Sequence, residues 1–330
     1  MREVSNNADV RQVSPLFSCF LGVLFGLAIS QPVRAQGTAE SQSLCVSSDL
    51  SALVLPEGKT VRVSELKEGR DRKGAESSSA SSSDVSHNPS DIQRRKEAYE
   101  VFSKEAKQGN PAAMTNLAVS SLAGWGGGTP NAGAALYWLH AAADRGFGAA
   151  FYDLGILYFE GCGVRQDMGE AFRFFELGAK GGYAAAQINL GYFYDHGLGV
   201  AQDHAAAAHW YLSAAESGEA QAQYNLADLY LHGEGVPRDE PAAFEWYKKA
   251  ALKGHTGARI MVGSMLAAGR GTSKDLAGAY LWVFVAVLQG DDRGVPLLRD
   301  LERQLPGAEI EEAKARGQLL LGGLEAARNR

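Results

Sequence analysis

The sequence predicts an all-α solenoid of about five helix-turn-helix repeats, each 36 residues long. Three observations carry this reading. First, YDHGLGVAQDHAAAAHWYLSAAESG (Tyr194 to Gly218) lies over YLHGEGVPRDEPAAFEWYKKAALKG (Tyr230 to Gly254) at a shift of 36, and over YFEGCGVRQDMGEAFRFFELGAKGG (Tyr158 to Gly182) at the same shift the other way. Second, single columns stay in register: Gly161, Gly197, Gly233 and Gly269; Asp167, Asp203, Asp239 and Asp275; Trp138, Phe174, Trp210, Trp246 and Trp282. Third, Ala243, Trp246, Tyr247, Ala250 and Ala251 fall at i, i+3, i+4, i+7 and i+8, one face of an amphipathic helix.

Residues 1–35 read as a signal peptide. Arg2 and Arg11 precede an apolar run from Leu16 to Ile29, and Val33-Arg34-Ala35 supplies the small residues of a cleavage site after Ala35. The run is 14 residues long, whereas a bilayer-spanning helix needs roughly 20. The expected mature chain is therefore exported, periplasmic or secreted, without a membrane span. Anchoring by an uncleaved segment and delivery to a eukaryotic secretory lumen are the alternatives.

Residues 36–90 read as a disordered Ser-rich linker, with ESSSASSSD (Glu76 to Asp84) and the mixed charges of ELKEGRDRKGAE. So little apolar surface cannot offset the entropy of ordering the segment. Leu53 and Leu55, then Val61 and Val63 beyond PEGK, allow at most a short strand pair. Cys45 in this segment and Cys162 in the repeats are far apart and are read as thiols.

The repeats occupy residues 91–291. In each unit the Asp column stands just before the second helix, where a carboxylate accepts from the orphan backbone N–H groups and meets the positive end of the dipole. Pro241 sits in a first turn, where its missing N–H costs little. The G-x-G-V segment ends the first helix and Gly218, Gly254 and Gly290 end the second. The alanines permit close approach of the helices, and the large aromatic fills the space beside them. Trp246 is therefore expected in the core.

A net charge of -6 and a pI near 5.7 give no basic field for phosphates, so nucleic acid is excluded as a partner. His196, His204 and His209, with Asp195 and Asp203, are dense enough to suggest a metal site. Asp203 belongs to the cap column, however, and the histidines are expected to diverge around two helices, whereas zinc needs three or four convergent ligands. No metal, no cofactor and no catalytic residues are expected: H-E-x-x-H, G-x-S-x-G and S-x-x-K are absent from the sequence.

The motif A-x-x-N-L-G-x-x-Y-x-x-G-x-G-V-x-x-D-x-x-x-A-x-x-W-Y-x-x-A-A-x-x-G, matched closely by Ala186 to Gly218, resembles the Sel1-like repeat (SLR) family, relatives of tetratricopeptide repeats. The first copy departs from it at WGGG, and the fifth carries Val262 in place of the leucine. The resemblance implies a right-handed α/α superhelix whose usual work is holding other proteins together. Residues 292–330, with PGAEIEEAKARG, look like the helical C-terminal cap that often closes such chains. Some exported members are assigned penicillin binding or β-lactam hydrolysis, but those carry a disulfide in each repeat, and here Cys162 stands alone in the repeats.

By analogy with tetratricopeptide repeats, first helices line a concave face. The positions two before and two after the motif leucine point into it: Tyr152 and Ile156, Ile188 and Tyr192, Tyr224 and Asp228. Asn116, Asn189 and Asn225 lie beside them, either to bond a peptide backbone or to bond the neighbouring repeat. An apolar, aromatic groove suits a peptide or amphipathic helix, and a small-molecule ligand is not expected. The reading is an exported scaffold that binds a protein or peptide. The rival readings are a secreted hydrolase acting on β-lactams or cell wall, and a purely structural module of an envelope complex.

Overall fold

The computed structural model describes residues 53–54, 60–61 and 89–328. The expected signal peptide and cleavage site, Cys45 and the bulk of the expected linker lie outside the described residues. Leu53–Val54 and Thr60–Val61 form one antiparallel strand pair, with Leu53 opposite Val61. The other described elements are helical, thirteen α-helices and one short 3-10 turn among the described residues.

Helix α1 (Pro89–Lys107) leads into five helix pairs: α2 (Pro111–Leu122) with α3 (Ala132–Ala143), α4 (Gly148–Glu160) with α5 (Met168–Lys180), α6 (Ala184–His196) with α7 (His204–Glu216), α8 (Ala220–His232) with α9 (Glu240–Leu252), and α10 (Thr256–Ala268) with α11 (Leu276–Leu288). Packing runs between consecutive helices, and the first helices α4 and α6 also touch each other. This is the nearest-neighbour architecture of an α-solenoid. Helices α12 (Val295–Gln304) and α13 (Gly307–Arg328) both pack on α11, burying Leu301 and Ala313. No helix among the described residues is long and apolar enough to cross a membrane.

The caps fall where the columns place them. Asp167 accepts from the backbone N–H of Gly169 and Glu170, Asp203 from Ala205 and Ala206, Asp239 from Ala242 at 2.9 Å and Asp275 from Gly278 at 2.8 Å. In the first unit Asn131 does the same work, accepting from Ala134 at 2.9 Å. Replacing Asp239 with Ala is expected to cost about 1 kcal/mol. A urea melt checks this, and a midpoint indistinguishable from the parent would show that water satisfies these N–H groups equally well.

The helix-two face holds with one adjustment. Ala207, Ala214, Ala243, Ala250, Ala279 and Ala286 are fully buried. Beside them Phe175, Tyr211, Tyr247 and Val283, at matching positions of successive units, are 0 to 1% exposed. Each of these large side chains faces a small residue of its unit's first helix. A methyl group added to Gly191 would stand 2.7 Å from the Tyr211 ring, and one added to Gly155 would stand 2.5 Å from Phe175. Trp210, Trp246 and Trp282, one residue earlier, are only half-buried. The core aromatic of the fourth unit is thus Tyr247. Trp246 lies over the seam between two clusters, with the Lys249 ammonium 3.7 Å from its ring centre. Cys162 is buried in the first core cluster, and its thiol donates to Glu160 Oε2 at 3.5 Å.

Candidate partner-binding surface

The first helices α4, α6, α8 and α10 present corresponding columns of side chains. One holds Tyr152, Ile188, Tyr224 and Ile260; the next, one turn on, holds Ile156, Tyr192, Asp228 and Ser264. Tyr152, Ile188, Asn189, Tyr192, Tyr224 and Asp228 are half-buried and keep part of their surface open.

Asn116 (7%), Ile156 (2%) and Asn225 (8%) do not. At its column Ile156 is drawn into the first core cluster, while Tyr192 and Asp228 are half-buried. Asn225 Oδ1 accepts from Gln221 Nε2 at 2.8 Å. The three buried residues therefore support the repeats and offer a partner little surface.

The open residues are braced from below. Tyr152 packs against Phe175 and against Tyr183, at 6.0 and 5.7 Å between ring centres. Tyr192 lies 4.0 Å from the His196 ring, and its hydroxyl is pushed up by burial and by Asp195. Tyr224 meets Tyr247 at 5.4 Å and stacks on His255 at 4.5 Å. The Tyr247 hydroxyl donates to Asp228, whose carboxyl is raised by burial in spite of that bond. The surface is thus a run of tyrosine rings with carboxylates set among them. Such rings combine apolar area with few rotatable bonds, which suits a recognition surface.

Sequence reasoning missed two members. Tyr183 and His255 share a column with Phe147 and Glu219, the residues just before each first helix. Burial raises the Tyr183 hydroxyl to about 12, with Asp153 and Glu219 adding to it. Burial lowers the His255 imidazole to about 4, with the Arg293 charge acting the same way. His255 Nδ1 accepts from Ala258 N–H at 3.0 Å as the cap of α10, and its Nε2 lies 3.1 Å from Gln221 Oε1. The 36-residue register identifies this column, but the residue types vary too much along it for a sequence motif to stand out.

The histidine-rich turn also departs from expectation. Asp203 N–H donates to Tyr194 C=O, which folds the start of α7 back beside the end of α6. His204 Nδ1 then sits 2.7 Å from Asp195 Oδ1, and His196 Nδ1 sits 3.7 Å from Asp195 Oδ2. Two of the three histidines converge on one carboxylate, and only His209, edge-on to Trp210, stays apart.

The Sel1 repeat profile matches residues 111–147, 149–183, 184–219, 220–255 and 257–291. Two solved structures are similar. One is c5321, a protective antigen present in uropathogenic Escherichia coli strains displaying an SLR fold, with 30% identity over 68% of this chain and a TM-score of 0.63. The other is a Sel1 repeat protein from Oxalobacter formigenes, with 30% identity over 62% of this chain and a TM-score of 0.55. The matches span 48% and 58% of those chains, about half their length. Comparison with curated proteins gives no significant match. Five matched repeats, laid on five helix pairs with the expected caps, establish that this chain belongs to the Sel1 repeat family.

Proposed function

We propose that the chain is an exported scaffold that binds a protein or peptide segment along its first-helix face. Sel1 repeat proteins generally act as protein-interaction scaffolds, which sets the class of function. The observation that supports the reading is the run of Tyr152, Ile188, Tyr192 and Tyr224, large side chains on successive units that keep part of their area unburied. Export rests on the signal-peptide pattern of residues 1–35. An extended or helical peptide laid across several units would cover rings on each, so that affinity sums over repeats. No catalytic role is assigned to any residue.

A displayed peptide library panned against the chain supplies ligands for the test. Replacing Tyr192 and Tyr224 together with Ala is expected to weaken a selected ligand by about 2 kcal/mol or more, as for aromatic anchors elsewhere. Because Tyr224 also packs on Tyr247 and His255, Tyr192→Ala alone is measured beside it, with melting temperatures for both. Unchanged affinity at unchanged stability would remove this face from the interface. Turnover of nitrocefin by the purified chain would overturn the non-catalytic reading.

A further inference from the structure

Successive units are joined by one recurring contact. The second glycine of each G-x-G turn rests on the start of the preceding unit's second helix so closely that a methyl group there would overlap it: Gly163 on Ala132, Gly199 on Met168, Gly235 on His204 and Gly271 on Glu240. Each approach would be 2.0 to 2.3 Å. The residue between the glycines is thereby held above the first residue of that helix. Along the chain the paired positions are Cys162 with Ala132, Leu198 with Met168, Glu234 with His204, and Arg270 with Glu240. The first two pairs belong to the apolar core, and the last is an ion pair of 2.9 Å.

The third joint differs from the others. There Asp195, whose column is otherwise Phe159, Leu231 and Ala267, brings a second carboxylate to the same imidazole. Asp195, His204 and Glu234 each offer one ligand atom, and all three atoms lie within 4.8 Å of one another. They come from three elements: the end of α6, the start of α7 and the turn after α8. Glu234 escapes a search for clusters in the sequence because it belongs to the next repeat.

We propose that this joint binds one zinc ion, coordinated by Asp195, His204 and Glu234 with water completing the shell, and that the ion clamps the third repeat to the fourth. The two carboxylates bring a formal charge of minus two to the joint, which a divalent ion neutralises. Imidazole with carboxylate suits zinc, whereas calcium takes six to eight oxygen ligands. With zinc–ligand bonds of about 2.0 to 2.2 Å, tetrahedral ligand atoms stand about 3.3 to 3.6 Å apart. That spacing falls between the 2.7 Å separating His204 from Asp195 and the 4.8 Å limit on the trio, so rotation of the side chains closes the site. Asp195 is further held from its other side by His196, whose own Nδ1 is 3.1 Å from the Tyr192 carbonyl.

The test is titration of the chelator-treated full chain with zinc, followed by calorimetry and by thermal melting, with cobalt absorption as a reporter of ligand geometry. The expected result is saturable one-to-one binding that raises the melting temperature. His204→Ala and the shape-conserving Glu234→Gln should each weaken it by more than the roughly 10- to 100-fold typical of losing an outer-shell partner. His209→Ala should leave it unchanged. Absence of saturable binding, or binding that survives both Glu234→Gln and His204→Ala in folded protein, would overturn the site. In either case the trio would be a hydrogen-bonded joint only.

Discussion

Replacing Tyr247 with Ala is expected to lower stability by about 3 to 5 kcal/mol, the range for emptying a large aromatic from a packed core. Tyr247 is 0% exposed and belongs to the cluster that holds Ala227, Ala243, Ala250, Ala258 and Val262. Truncation opens a void between α8 and α9 and also strips Asp228 of its hydroxyl donor. Tyr247→Phe separates the two effects. It keeps the ring, and the unpartnered carboxyl alone should cost about 1 to 3 kcal/mol. Trp246→Ala, one residue away, should cost less, because Trp246 is half-buried. Urea melts of the three variants check the ordering. If Trp246→Ala proved the most damaging, the assignment of the inner face of α9 would be wrong.

That ordering marks the limit of what the sequence showed. The repeat length, the helix pairs and the Asp caps were legible because each rests on local chemistry repeated in register: a carboxylate before a helix, a glycine at its end. The depth of each side chain was not. Neighbouring helical positions differ by about 100°, so Trp246 and Tyr247 both border the apolar stripe. Which of them sinks into the core depends on the small residue that the first helix sets opposite, Gly191 against Tyr211 or Ala227 in the unit of Tyr247. Ile156 illustrates the same limit on the first-helix face. Its column suggested an outward position, yet Ile156 is 2% exposed and belongs to the first core cluster, because helical spacing alone does not fix how closely the neighbouring helices cover a position. The Asp195, His204 and Glu234 group was hidden for another reason, since its members are brought together only by the stacking of one unit on the next.

The burial of His255 makes the fold sensitive to acid. Its imidazole is lowered from an ordinary value of 6.5 to about 4, first by burial and then by the Arg293 charge. The hydrogen bonds explain why the neutral form is required. Nδ1 must carry a lone pair to accept from Ala258 N–H, and Nε2–H then donates to Gln221 Oε1. A proton on Nδ1 would set two donors face to face at the start of α10, between Tyr224 and the Arg293 guanidinium. Between pH 6.5 and about 4 the unfolded chain holds a proton at this site that the folded chain does not, so stability falls as pH falls and levels off below about 4. At 1.36 kcal/mol per unit the loss is roughly 3 kcal/mol. Asp291, held below its usual range by Arg293, acts in the same direction but at lower pH. Asp228, raised by burial, opposes it, because the folded state takes up that proton first. Wild type therefore carries several slopes, and His255→Asn isolates one of them: the amide keeps an acceptor for the cap and cannot titrate. Urea midpoints measured from pH 7 to pH 4 should fall more steeply in wild type than in His255→Asn. Parallel curves would mean that His255 is protonated in the folded chain as readily as in the unfolded one, and that the cap bond does not require its neutral form.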